Sequence, residues 1–156
     1  MRLFRFLYTS IYFGVLGYLV FFARNRIHHR FNYEVNLFPV KNTVDNFLAL
    51  APSDKFEICE FYLNLFGNIL LFVPFSVILI TAFKLIKLRF ILLWAAVVSI
   101  SIEITQYVFQ IGFPDIDDVI LNVTGALLGF FIYKIFLKLI SPQVFLKRND
   151  SFYNNA

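Results

Sequence analysis

Four long apolar runs, separated by polar stretches, make up most of this chain: residues 3–22, 61–83, 90–109 and 119–140. Each is close to the about 20 residues that an α-helix needs to cross the hydrocarbon of a bilayer. The pattern predicts an all-α membrane protein of four transmembrane helices. The connections differ sharply. Residues 23–60 are polar and carry ten of the 24 charged residues, residues 84–89 are a short basic link, and residues 110–118 hold Gly112, Pro114 and three Asp but no Lys or Arg. The expected organisation is an N-terminal transmembrane helix over 1–22, an extracytoplasmic basic loop over 23–60, a three-helix core over 61–141 and a polar cytoplasmic tail over 142–156. That tail, with its Lys147-Arg148 pair and Asn-rich end, is expected to fray.

Composition supports lipid as the solvent. Of 156 residues, 60% are hydrophobic and 20% aromatic, with 22 Phe. A soluble domain of this size would leave large apolar patches in water. The net charge is +4, with the cations flanking the apolar runs as membrane anchors do, so nucleic acid is not an expected partner. Lys/Arg bias then orients the chain. The basic link against the purely acidic one places both termini and residues 84–89 in the cytoplasm, although Arg24, Arg26 and Arg30 beside the first helix argue the other way. The single Cys59 excludes an intramolecular disulfide. The first run is too long for a signal h-region and lacks a small-residue cleavage site, so it is expected to be retained.

Polar groups inside hydrocarbon are costly, and their positions therefore carry information. Asn64 and Asn68 lie one turn apart in the second run, Glu103 and Gln106 are i, i+3 neighbours in the third, and Asp118 and Asn122 are i, i+4 at the start of the fourth. In the proposed topology Asn68 and Glu103 sit on the order of 10 Å deep and Asn122 about half that, at 1.5 Å per residue. Three helices would thus bring amides and carboxylates into one layer, forming an outward-facing polar pocket. Amides of this kind often serve as hydrogen-bonded glue between helices, the simplest reading for Asn64. A carboxylate at the depth of Glu103 must be protonated, paired or beside a wet cavity. In Asp115-Ile116-Asp117-Asp118, one Asp suffices to cap the fourth helix. The others suit a divalent cation, a cationic substrate or acid–base work with Glu103, and no metal site is assigned. Gly125 and Gly129 form G-x-x-x-G and predict close helix packing. Pro74 predicts a kink that opens space below Asn68. His28 and His29 lack metal-ligand spacing and belong at the headgroup surface. No Gly-x-Ser-x-Gly elbow, intramembrane His or Walker loop occurs, which argues against serine proteolysis and His-based phosphatase chemistry.

Together these residues resemble the VanZ-like family of bacterial membrane proteins, named for a teicoplanin-resistance protein. Arg30 with Asn36-Leu37-Phe38-Pro39-Val40 looks like the family's Arg…Asn-Leu-Ile-Pro-Phe motif. Asn64-Leu65-Phe66-Gly67-Asn68 through Pro74-Phe75 is similar to Asn-x-x-Gly-Asn-x-x-x-Phe-x-Pro-Phe. Glu103-Ile104-Thr105-Gln106 matches Glu-x-x-Gln, and Asp115 through Asn122 to Gly125 matches Asp-x-x-Asp-x-x-x-Asn-x-x-Gly. The likeness runs from about Arg24 to Tyr133. Two positions depart from it: Ser76 stands where the family usually has Gly, and Phe113 follows Gly112 where an Arg is common. If that Arg binds a phosphate, Arg24, Arg26 or Arg30 would have to substitute.

The resemblance implies a multi-pass protein of the bacterial cytoplasmic (inner) membrane that acts in the cell envelope and, as in some members of the family, lowers glycopeptide sensitivity. Its partner would be a membrane lipid or lipid-linked envelope intermediate. On the enzyme reading Glu103 is the general base, with Asp115 and Asp118 as catalytic partners or cation ligands. Arg30 would hold a phosphate, and Asn36, Asn68, Gln106 and Asn122 would bind and orient the substrate. The alternative is non-enzymatic: a module that binds lipid or glycopeptide, or an assembly scaffold. Neither cofactor nor oligomeric state follows from the residues.

Overall fold

The computed structural model describes residues 2–23, 38–50, 54–111, 114–144 and 146. Helix α1 (Arg2–Tyr18) ends in a π-helical turn, Leu19–Ala23. After it come a short α2 (Lys41–Ala49) and the long α3 (Lys55–Thr81), α4 (Leu88–Phe109) and α5 (Ile116–Ile140). Among the described residues four helices are long and apolar enough to cross a membrane, and no strand occurs. The chain is a multi-pass helical membrane protein. Its surface fits lipid: Leu3, Phe6, Leu63, Leu70, Ile135 and Leu139 are all exposed.

Two boundaries depart from the hydropathy pattern. The stretch 23–60 is not loop throughout, because α2 forms within it and α3 begins at Lys55 rather than at residue 61. Hydropathy misses this first turn and a half because Lys55, Glu57 and Glu60 interrupt the apolar run. The helix starts there nonetheless. The Asp54 carboxylate caps it, accepting from the N–H groups of Phe56 (2.9 Å) and Glu57 (3.1 Å). Charged side chains at a helix end can reach interfacial water.

The principal packing is α3 against α5, with α4 against α5 next. Gly125 and Gly129 explain how close α3 and α5 come. A Cβ at Gly125 would overlap the Ile69 carbonyl, and one at Gly129 the Val73 carbonyl. Backbones meet there, as the G-x-x-x-G spacing predicts. Ser76, the departure from the family's Gly, is fully buried and donates its hydroxyl to the Ala126 carbonyl, adding a polar link at the same seam. Helix α3 runs unbroken through Pro74. Phe72, Phe75, Ile80, Ile91, Ala95, Ala126 and Phe130 fill the centre.

Helix α1 is held differently. The Tyr8 hydroxyl shares a hydrogen bond with Thr81 Oγ1 (2.9 Å), and the Tyr12 hydroxyl donates to the Leu71 carbonyl (2.9 Å). These directional polar links join the packing of Leu16 and Val20 into the core and of Phe13 on Phe75 in attaching it.

Candidate functional site

One end of the bundle collects the polar residues. The start of α5, the start of α3, the end of α4 and the π turn after α1 all lie there, with α2 beside them. Asp115 caps α5, its carboxylate accepting from the Asp117 N–H at 2.9 Å. Its own N–H donates to Glu103 Oε2 at 2.9 Å, so the α4 carboxylate faces the positive end of the α5 dipole. Glu103 is 7% exposed and Asp118 1%. Buried carboxylates need partners, and these have them. Asp118 Oδ1 accepts from the Asn68 amide across the α3–α5 seam.

Asp117 has a role that its position in the sequence did not disclose. One oxygen accepts from the Val40 N–H and the other from the Thr43 N–H (3.1 Å) and hydroxyl (2.7 Å). Those are the free donors at the start of α2, whose own N-cap position, Val40, offers no side-chain cap. Val40 also sits at φ 65, a left-handed conformation rare for a β-branched residue. A carboxylate from α5 therefore caps a helix 74 residues earlier in the chain and holds its strained entry in place. The signal available in sequence was indirect: Val40 lacks the Ser, Thr, Asp or Asn that helix starts favour.

Hydrogen bonds tie several of the predicted site residues together at this end of the bundle. Asn68 pairs with Asp118, and Glu103 with the Asp115 backbone. The Asn122 amide donates to Ser99 Oγ at 2.8 Å, while its Oδ1 is buried without a hydrogen-bond partner among the described residues. Gln106, 1% exposed, donates to the Val20 carbonyl in the π turn at 3.3 Å, tying α1 to α4. A small polar cleft lies beside them, lined by Thr43 and Asn46 of α2, Asn64 of α3 and all three Asp of the turn. Its volume is about 20 Å³, room for roughly one water. Asp115 and Asp118 are on its wall, but Glu103, Asn68, Gln106 and Asn122 are not. Arg30 and Asn36 lie outside the described residues, as do Arg24, Arg26, Gly112 and Phe113. Among the described residues no group of three or more His, Cys, Asp or Glu side chains could hold a metal ion.

Comparison with known proteins bears on the same residues. The VanZ/LLP1 family model matches residues 8–137. Protein VanZ from Enterococcus faecium is 35% identical over 107 residues, a match that covers 66% of this chain. The chain spans 62% of the length of that relative. No solved structure matches.

Proposed function

The chain belongs to the VanZ/LLP1 family, and on that footing we propose that it works in the bacterial cell envelope, at the membrane surface, on lipid headgroups or lipid-linked sugars, thereby lowering sensitivity to glycopeptides such as teicoplanin. One observation carries this reading. Two membrane-spanning helices, α4 and α5, bury Glu103, Gln106, Asp117, Asp118 and Asn122 at a single end of the bundle. Such groups are expensive to keep in a membrane and mark functional sites there. In this reading the polar end faces outward and the termini are cytoplasmic. Glu103 acts as general base, with Asp115 and Asp118 placing the reacting headgroup and Asn68, Gln106 and Asn122 setting its surroundings.

Glu103→Gln tests it. The amide oxygen can still accept from the Asp115 N–H, so folding and insertion should survive while the basic carboxylate is lost. Loss of a general base costs on the order of 100-fold or more in rate. The expected outcome is loss of the teicoplanin tolerance and of the envelope-lipid change that overexpression confers, at unchanged protein level. Full tolerance in the variant would remove the catalytic claim.

The second reading, a non-enzymatic binder or scaffold, has its own support. The cleft admits about one water, and the carboxylates of Glu103, Asp117 and Asp118 all accept hydrogen bonds from the protein itself. Unchanged lipid composition together with tolerance retained by Glu103→Gln would favour it.

A further inference from the structure

Helix α2 has three different sides. At about 100° per residue, Val44, Phe47 and Leu48 share an arc of roughly 100°, Thr43 and Asn46 point to a second side, and Asp45 and Ala49 to a third. Thr43 and Asn46 face the cleft, where Asp117 holds the helix down. Asp45 and Ala49 are exposed, as a water-facing side should be. The apolar arc is exposed as well: Leu48 is 74% exposed, and Phe47, Val44 and the preceding Phe38 and Val40 are also uncovered.

The surroundings of that arc identify what covers it. Phe47 packs on Phe61 of α3 at 5.9 Å between ring centroids, Phe61 on Tyr62 at 5.4 Å, and Tyr62 stacks on Phe66 at 5.9 Å. Phe66 belongs with Leu63 and Leu70 to the exposed stripe of a membrane-spanning helix. The apolar side of α2 is thus continuous with a surface that faces lipid. It lies near the second turn of α3, beside the charged Lys55, Glu57 and Glu60, and aromatic rings are favoured where a span meets the interface. A helix with one apolar arc and one charged or polar side at that level has the form of an in-plane interfacial helix.

We propose that α2 is such a helix: its Val44–Phe47–Leu48 arc seats in the headgroup–acyl boundary of the bilayer while its Thr43–Asn46 side roofs the acidic cleft. The partner is the lipid surface itself. The cleft then opens onto the membrane interface rather than onto bulk water, and the bilayer helps to hold its roof. This holds whether the cleft is catalytic or only a binding site, so its test is independent of Glu103.

The experiment uses the full chain with Cys59→Ser, reconstituted in phosphatidylcholine–phosphatidylglycerol vesicles. Leu48→Cys, Val44→Cys and Asp45→Cys each carry an environment-sensitive fluorophore, and all three positions are exposed, so labelling disturbs no packing. Lipids with a spin label near the headgroup should quench the Leu48 and Val44 probes at least threefold more than the Asp45 probe. Aqueous iodide should show the reverse order. Equal iodide quenching at Leu48 and Asp45 would overturn the proposal. So would protection of Leu48 from both quenchers combined with Leu48–Leu48 cross-linking between two copies, which would make the arc a dimer contact.

Discussion

Asp117 illustrates how one side chain can be plain in type and hidden in role. The three Asp of the turn are obvious in the sequence, and Asp115 does cap α5 as its position before an apolar run suggests. Asp117 instead serves Val40 and Thr43 on another helix, a partner that no local pattern can name. Removing a helix cap costs about 1 kcal/mol, and a buried carboxylate that satisfies several donors should exceed that. Asp117→Ala is therefore expected to lower stability by about 2 kcal/mol, seen as a reduced thermal midpoint in detergent, and to speed maleimide labelling of an Asn64→Cys probe in the cleft. Asp117→Asn, which keeps an acceptor oxygen, should lose less than half as much. Labelling of Asn64→Cys unaffected by Asp117→Ala would mean that α2 is held down by other contacts.

At the level of helices, the spans were legible and their joints were not. Sustained apolar runs predicted all four crossings, because hydrocarbon imposes length and composition on any helix it surrounds. The first turns of α3 escaped because three charged residues lie there in reach of interfacial water, and α2 escaped because its apolar positions, Val44, Phe47 and Leu48, fill little more than one turn of a polar stretch. Of the candidate site, the burial of Glu103, Gln106, Asp118 and Asn122 on two helices could be anticipated from cost alone. Which group meets which could not, since Asn122 finds Ser99 and Gln106 finds the Val20 carbonyl in the π turn. The glycines make a sharper element-level case. Gly125→Ala and Gly129→Ala should each cost roughly 1–3 kcal/mol, because a methyl meets α3 backbone that cannot yield without separating the helices. Gly67 has nothing within 4 Å of its Cβ position. Gly67→Ala should be neutral or gain up to about 1 kcal/mol from helix propensity. Thermal unfolding of the three variants decides it, and equal losses would dismiss close packing as the reason for the α5 pair.

Among the described residues, one end of the bundle carries cations and no acidic side chain. Arg2 and Arg5 begin α1, Lys84, Lys87 and Arg89 surround the α3–α4 turn, and Lys138 lies in the last turn of α5, all opposite the end that holds the acidic turn. The proposed orientation puts this basic end in the cytoplasm, as the positive-inside rule favours. With Cys59→Ser as background, an impermeant maleimide should label Asp45→Cys in intact cells and Lys87→Cys only after permeabilisation; the opposite pattern would invert the bundle. The attachment of α1 has a consequence for how such a chain is made. Its docking partners Leu71, Thr81 and Gln106 lie some 59, 73 and 86 residues further along, so a ribosome finishes α1 long before anything exists for it to hold. The newborn helix must wait alone in lipid with its tyrosine hydroxyls unclaimed, then recognise α3 and α4 as they emerge. Its apolarity secures the waiting, and Tyr8, Tyr12 and Val20 decide where the waiting ends.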